Sequence, residues 1–327
     1  MSSVQTIKVG AEEAGMRLDR WFKARFPAIR HGELEKLLRT GQVRVDGGRA
    51  KSNRRLEGGE TIRIPPISAK EGDKPRPAPS RKDAKFLRDL ILYEDDAIIA
   101  LNKPFGLAVQ GGTKTERHID GMLDALAKDG ERPRLVHRLD RDTGGLLILA
   151  KTRAATTILG HAFQRRGVDK TYWALVAGVP RPRFGAIDLP IAKRMTRTGS
   201  GAQERIVPGE GEDAKKAITD FQVVDEAGQG VSFLALRPRT GRTHQLRVHC
   251  LAMGTPIIGD GKYGGEKARL AGVAPKLHLF CREMTIPHPV DGVGITIRAP
   301  LTGHMRESFE LLDFDRNADV EWPDIAR

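Results

Sequence analysis

The sequence predicts an α+β protein, in which a mainly antiparallel mixed-sheet domain follows a small N-terminal domain. Three observations lead to this prediction. Many short apolar runs of strand length are interleaved with few helical stripes, and the regular strand–helix alternation of a parallel sheet is missing. A proline-rich polar stretch separates the first 64 residues from the rest. A buried-strand pattern, Leu146 to Ala150, directly follows a cluster of charged residues.

Shifts in composition divide the 327-residue chain into four segments. Residues 65–85 contain five prolines and little that is apolar, which is typical of an extended linker. We therefore predict one domain over residues 1–64 and a catalytic domain over residues 86–312. Residues 313–327 are polar and acidic, and we expect a loosely held tail.

Residues 1–64 are predicted to form two helices and a few short strands. Apolar residues at 18, 21, 22 and 26 form a helical stripe, and a second helix is expected over residues 32–40. The Asp46-Gly47-Gly48 sequence signals a hairpin turn. This segment has 14 Lys and Arg against 8 Asp and Glu, so it carries +6 of the chain's net +13. It is typical of an RNA-docking unit, with a solvated accessory domain as the alternative.

One stretch of this segment, RLDRWFKARFP…GELEKLLRTGQVRVDGG…LEGGETIRIP, resembles an S4 domain. S4 domains are small RNA-binding units found in ribosomal proteins and RNA-modifying enzymes. The resemblance covers about the first 64 residues, and its most specific part is LLRTGQVRVDG.

The whole chain is strongly basic, with a net charge of +13 and a pI near 9.9. A surface of this charge attracts polyanions, of which nucleic acid is the commonest, although solubility alone is an alternative. The cysteines, Cys250 and Cys281, form no CxxC pair, so we expect neither a disulfide scaffold nor a zinc knuckle. The sequence has no apolar signal-peptide core and no membrane-spanning run, so we expect a cytoplasmic protein without a membrane partner.

Short strands and three helices are expected in the catalytic domain. The strands are predicted over residues 91–93, 97–101, 146–150, 170–176, 221–224, 231–236 and 295–297. The helices are predicted over residues 118–128 and 154–164, and from a cap near Thr240 or Thr243 onward. Residues 193–216 are polar, basic and glycine-rich, and we expect a mobile surface loop there.

The polar residues of this domain could form several kinds of site. The candidate metal ligands are His137, Asp140, Asp142, His244 and His249. Arginines flank them and the two last histidines are poorly spaced, so we expect no metal. The glycines from Gly259 to Gly264 match GxGxxG without its strand–helix context and are interpreted as a turn. A hydrolase using Asp140 and Asp142 remains conceivable. From residue types alone, Asp140 beside arginines is either a buried ion pair or a catalytic group.

Four segments in order resemble the RluA-type family of pseudouridine synthases. They are ILYEDDAIIALNKPFGLAVQGG (91–112), LVHRLDRDTGGLLILAKT (135–152), KTYWALVAG (170–178) and RTGRTHQLRVHCLAMGTPIIGDGKYG (239–264). The resemblance implies an isomerase that converts uridine to pseudouridine in ribosomal RNA, here of the large subunit (23S) or its assembly precursor. It implies no cofactor, and we expect a monomer. The alternative is a non-catalytic RNA-binding protein of ribosome assembly.

The resemblance also implies the roles of single residues. The aspartate of HRLD is catalytic, which is Asp140 here. The tyrosine of the KTY segment packs on the target base, and that is Tyr172. The arginine of THQLR, Arg247, pairs with the catalytic aspartate, and Arg138 helps to receive the flipped nucleotide. Arg242 is expected to support them as a phosphate or carboxylate clamp.

This sequence departs from the family pattern at one position beside the site. Relatives usually carry Ser or Thr where this chain has Gly144. A hydroxyl is therefore lost and the turn is locally loosened, but we expect activity to survive.

Overall fold

The computed structural model describes residues 4–26, 29, 31–66, 80–112, 115, 117–165, 167–198, 201–211, 213–228 and 230–324. The chain divides into two compact units, residues 1–78 and 79–327. Most of the stretch predicted to be a linker, residues 67–79, lies outside the described residues.

The first unit is a three-stranded antiparallel sheet with two helices. Its elements are β1 (Gln5–Lys8), α1 (Leu18–Arg25), α2 (His31–Arg39), β2 (Arg44–Val45) and β3 (Thr61–Ile64), and its strand order is β1-β3-β2. The helical stripe predicted around Trp21 and Phe22 is buried, and it packs with Leu34 and Leu38 of α2 and with Ile62 of β3. The unit therefore has an apolar core of its own.

The second unit contains most of the helices and strands. In chain order these are α3 (Arg81–Asp89), β4 (Ile91–Glu94), β5 (Ile98–Lys103), α4 (Ile119–Met122), β6 (Arg134–Leu135), β7 (Gly144–Ala150), α5 (Arg153–Gln164), β8 (Asp169–Ala177), β9 (Phe184–Asp188), β10 (Ile191–Thr198), β11 (Gly201–Pro208), β12 (Ile218–Ala227), β13 (Val231–Pro238), α6 (Gln245–Ala252), β14 (Leu279–Pro287), β15 (Gly294–Arg298) and α7 (Gly303–Leu311).

A ten-stranded sheet forms the frame of this unit. Its order is β4-β5-β7-β14-β8-β13-β12-β9, with β15 paired to β14 and β6 to β7. The pair β7–β14 is parallel and all the other pairings in the sheet are antiparallel. The predicted class, a mixed and mainly antiparallel α+β domain, is confirmed for this unit.

Strand β7 lies inside the sheet and is buried along its whole length. It runs beside β14 with Phe280 opposite Gly144 and Cys281 opposite Gly145. Gly145 has φ +101°, and a Cβ there would collide with the backbone of Cys281. Only glycine allows β7 and β14 to approach this closely directly after the charged cluster.

Two local predictions were wrong. Residues 191–198 and 201–208 pair as the antiparallel strands β10 and β11 rather than forming a loop, because Ile191 and Ile206 pack against Val248 of α6. The described part of the tail is held, since Phe314 is buried and the Arg237 guanidinium lies 4.2 Å from the Trp322 ring centroid. The helix predicted from a cap near Thr240 or Thr243 is α6, whose N-cap is His244, one residue after Thr243.

Elements that the sequence did not predict complete the unit. They include α3, which begins within the stretch predicted to be a linker and is capped by the Ser80 hydroxyl, as well as β9 and α7. Among the described residues, no helix has the length and apolar character needed to cross a membrane.

Candidate active site

The loop between β6 and β7 carries the charged cluster into a cleft of about 300 Å³. Asp140 lies in this loop, and its side chain is 27% exposed. All five predicted site residues line the same cleft: Arg138, Asp140, Tyr172, Arg242 and Arg247. The structure therefore brings together residues that are separated by up to 109 positions in the chain.

The Asn102–Gly106 segment makes hydrogen bonds to the loop that carries Asp140. Lys103 is fully buried, and its ammonium donates hydrogen bonds to the carbonyl oxygens of Pro104, Leu107 and Arg141 at 3.0, 2.8 and 3.1 Å. The Gly106 amide donates to the same Arg141 carbonyl at 2.9 Å. Burial lowers the pKa of Lys103 to about 7, although the nearby carboxylates of Asp142 and Asp140 oppose this shift. The backbone that carries Asp140 is thus held by a buried side chain.

His137, three residues before Asp140, is part of this frame. Its Nε2 accepts a hydrogen bond from the Ile148 amide at 2.8 Å, and its ring stacks on Phe163 at 4.4 Å. Burial, assisted by the charge of Lys170, lowers the pKa of His137 to about 3. The imidazole is therefore neutral and serves to position the loop against β7.

Tyr172 lies on β8 opposite Cys281 of β14, and it lines the cleft. Burial raises the pKa of Tyr172 well above its ordinary value, and the charges of Cys281 and Asp140 act in the same direction. Burial likewise raises the pKa of the Cys281 thiol to about 12. Both groups therefore keep their protons at neutral pH, and the phenol presents an uncharged aromatic ring to the cleft.

Arg247 makes a different ion pair from the one expected. The sequence comparison implied a contact with Asp140, but Arg247 Nε and Nη2 donate to Asp260 Oδ2 and Oδ1 at 2.8 and 2.6 Å. These side chains are only 8% and 1% exposed. Asp260 offers a bidentate geometry and is also fixed by the Lys262 and Tyr263 amides. Asp140 acts on Arg247 as a nearby charge that raises its pKa, and the direct pairing of Arg247 with Asp140 stays a prediction.

The rim of the cleft is cationic. Arg138 and Arg242 are exposed, and Lys170 also lines the cleft. Burial lowers the pKa of Lys170, although Cys281 and Asp169 oppose the shift. A carboxylate at the base of a cleft with basic walls can act on a polyanionic substrate whose phosphates bind at the rim.

The sequence analysis gave no role at the site to His244 or Tyr263. His244 Nε2 lies 3.8 Å from Asp140 Oδ2, and His244 Nδ1 lies 2.6 Å from the Tyr263 hydroxyl. The sequence signal was present, since His244 precedes QLR and Tyr263 lies within the GDGKYG turn. Their proximity could not be read from spacing, because 104 residues separate His244 from Asp140.

No group of three or more His, Cys, Asp and Glu side chains within the described part of the chain is arranged to hold a metal ion. Of the candidate ligands, His137 and His249 bind to backbone groups, and the His249 ring lies 3.0 Å from the Leu189 carbonyl. Cys250 and Cys281 are both free and buried.

Comparisons with known proteins agree with this geometry. The family model for RNA pseudouridylate synthase matches residues 97–252, which span β5 to α6. The chain is 35% identical to ribosomal large subunit pseudouridine synthase C of Salmonella typhi over 95% of this chain and 97% of that protein. It is 34% identical to RNA pseudouridine synthase 4, mitochondrial, of Arabidopsis thaliana over 95% of this chain and 82% of that protein.

A solved structure shows the same fold. Human RNA pseudouridylate synthase domain containing 4 superposes with a TM-score of 0.58 at 28% identity, covering 70% of this chain and 95% of that one. The order of segments around Asp140, the cleft that they form and the length of the sequence match lead to one conclusion: this chain belongs to the RNA pseudouridylate synthase family.

Proposed function

We propose that this RNA pseudouridine synthase isomerises specific uridines of large-subunit (23S) ribosomal RNA or of its assembly precursor. The observation that carries the proposal is Asp140 at the base of a cleft with a basic rim, in a chain that matches a large-subunit enzyme along almost its whole length. A cytoplasmic location suits this substrate. A monomer is the proposed active unit.

The reaction rearranges atoms that all belong to the substrate. The C1′–N1 bond breaks, the uracil rotates, and C5 bonds to C1′ and loses its proton while N1 gains one. Atoms and electrons balance without an oxidant, a reductant or an energy source. The protein must therefore extract the nucleotide from its stack, hold the free base and supply a carboxylate at the sugar.

We assign these tasks to the residues of the cleft. Asp140 acts at the sugar, either by adding to C1′ or by removing a sugar proton. Tyr172 packs on the uracil, and its raised pKa favours this role over that of a phenolate base. Arg138 and Arg242 at the rim bind the phosphates of the extruded nucleotide. Arg247 keeps the base of the cleft cationic while Asp260 holds it in place.

Release of tritium from RNA labelled at uracil C5 tests the activity and the site together. Wild-type protein should release tritium from 23S rRNA or from large-subunit particles, and Asp140→Asn should release none. Asp142→Asn is the matched control, because it makes the same change two residues away on a side chain that is 45% exposed. Full turnover by Asp140→Asn would refute the site assignment, and RNA binding without release in the wild type would support the binding-protein alternative.

We propose further that residues 1–64 are an S4-like domain that docks on RNA, joined by a linker over residues 65–85 to the catalytic domain and its C-terminal tail. Arg44 of β2 and Arg63 of β3 are exposed and lie directly opposite each other across the strands. Like charges in such a pair destabilise a sheet unless a polyanion covers them. The pair therefore supports phosphate binding on this face.

The salt dependence of RNA affinity tests whether the paired arginines bind phosphates. In Arg44→Gln/Arg63→Gln the slope of log affinity against log salt should fall in magnitude by about 1–2, because each phosphate contact contributes about 0.7–0.9. Arg17→Gln is the control, since this arginine of the same unit already pairs with Asp19 at 2.5 Å. An unchanged slope in the double variant would indicate that this face does not bind RNA.

A further inference from the structure

His244 lies between the carboxylate of Asp140 and the hydroxyl of Tyr263. Its Nε2 is 3.8 Å from Asp140 Oδ2, and its Nδ1 is 2.6 Å from Tyr263 Oη. The ring is mostly buried, with 18% of the side chain exposed. Both ring nitrogens therefore face polar partners, and one of these partners is the proposed catalytic group.

The backbone of His244 is held in an uncommon conformation. It has φ 55° and ψ 15°, in the left-handed region, at the residue immediately before α6. Its side chain makes no capping hydrogen bond to the helix. The preceding loop is instead secured by Gln245, whose Oε1 accepts from the Thr240 hydroxyl at 2.6 Å and from the Arg242 amide at 3.1 Å. Capping of α6 therefore does not explain why a histidine occupies this strained position.

One tautomer of His244 fits both of its polar partners. The Ile206 amide of β11 donates to Tyr263 Oη at 3.3 Å. The phenol has a proton to donate, and His244 Nδ1 lies 2.6 Å from its oxygen. When Nδ1 accepts this proton, the ring proton of a neutral imidazole is on Nε2, the atom nearest Asp140.

The charges around His244 keep the imidazole neutral. Burial is the main cause that lowers its pKa. Asp140 and Asp260 oppose this shift, whereas Arg247 and Lys262 reinforce it. A neutral donor orients a carboxylate without transferring a full positive charge to it, so the carboxylate keeps its reactivity.

We propose that His244 is a positioning residue that holds Asp140 through Nε2–H, and that Tyr263 fixes the tautomer that this contact needs. The inference rests on the proposed role of Asp140. The contact shortens to a hydrogen bond when RNA fills the cleft, as catalytic contacts commonly do on substrate binding. Oδ2 is then held by the imidazole, and Oδ1 is free to act at the sugar.

Two substitutions of His244 distinguish a role in positioning Asp140 from a purely structural role. Asn tolerates the left-handed backbone, and its short amide can reach Tyr263 but not Asp140. Gln places an amide near the Nε2 position. We expect His244→Asn to lower kcat about 10- to 100-fold, as for loss of a hydrogen bond to a charged group, with RNA affinity and Tm unchanged. His244→Gln should recover part of that loss.

Tyr263→Phe removes only the hydroxyl and should lower kcat while KM for rRNA stays the same. Nitrogen-15 NMR of the histidine-labelled full chain gives a readout independent of activity. The His244 signals, identified by their loss in His244→Asn, should show protonated Nε2 in the wild type and a mixture of tautomers in Tyr263→Phe. His161, exposed on α5, serves as the unchanged reference.

These measurements distinguish the inference from the proposed function. If wild type releases tritium and Asp140→Asn does not, but His244→Asn keeps full kcat, the positioning role is refuted and the proposed function stands. Protonated Nδ1 in the wild type, or an identical tautomer in Tyr263→Phe, would also refute the inference. If the wild type is inactive on every rRNA substrate, the proposed function fails, and the positioning role fails with it.

Discussion

The buried ion pair between Arg247 and Asp260 should contribute strongly to the stability of the cleft wall. Its two hydrogen bonds measure 2.8 and 2.6 Å, and both side chains are almost completely buried. Asp260 Oδ1 also accepts from the Lys262 and Tyr263 amides at 3.1 and 3.0 Å. Burial lowers the pKa of Arg247, but the hydrogen bond and charge of Asp260 outweigh it, so the pKa is raised overall.

Asp260→Asn keeps the shape of the side chain and removes its charge. The guanidinium then remains buried without a counter-charge, and the new amide group turns donors toward donors. Removing one partner of a buried pair costs about 3–5 kcal/mol in the free energy of unfolding. For a domain of this size that corresponds to a fall in Tm of about 10 °C.

Urea unfolding and differential scanning calorimetry of the full chain measure this loss. Glu266→Gln is the matched control, because it neutralises a carboxylate whose 3.0 Å pair with Arg269 is 80% and 72% exposed. This control should leave stability unchanged within error. Replacing both partners, as Arg247→Met/Asp260→Leu, should cost less than Asp260→Asn alone. A loss below about 1 kcal/mol in Asp260→Asn would refute the reasoning, because that is the value of an exposed pair.

Further predictions concern the frame of the cleft. Gly144→Ser should destabilise the fold by about 1–2 kcal/mol, since its Cβ would lie 3.0 Å from the Phe280 ring. Turnover per folded molecule should be unchanged. Gly145→Ala should give little soluble folded protein in expression trials, because the added Cβ would collide with Cys281. Burial lowers the pKa of Lys103 to about 7, so the free energy of unfolding should rise between pH 7 and 10, by up to about 5 kcal/mol. Urea unfolding across this pH range, compared with that of Lys103→Met, measures the rise.

The sign of the Lys103 effect follows from proton binding. Between the folded pKa of about 7 and the ordinary lysine value of 10.5, the unfolded chain binds more protons than the folded chain, so stability increases with pH. If the free energy of unfolding of the wild type has the same pH slope as that of Lys103→Met, the assignment is contradicted.

For Gly144→Ser, adding Phe280→Leu should recover the lost stability. Additive losses in the double variant would show that the Phe280 ring does not cause the destabilisation.

Local patterns in the sequence determined the class of the fold and the residues at the cleft. Alternation and apolar runs predicted β4, β5, β7, β8, β12 and β13, because side-chain period and burial are local properties. The four motif segments identified Asp140, Tyr172 and both rim arginines as neighbours. The strand pair β10–β11 was missed, since its apolar residues become buried only against α6, more than 40 residues away.

Only the tertiary structure decided the pairing of charges within the site. The family resemblance implied Asp140 as the partner of Arg247. The fold pairs Arg247 with Asp260, whose position is fixed by two backbone amides. This leaves His244 as the histidine beside Asp140, with Tyr263 behind it. Which charged side chains form ion pairs depends on distances of a few ångströms between segments that are far apart in the chain. Local sequence patterns do not contain those distances.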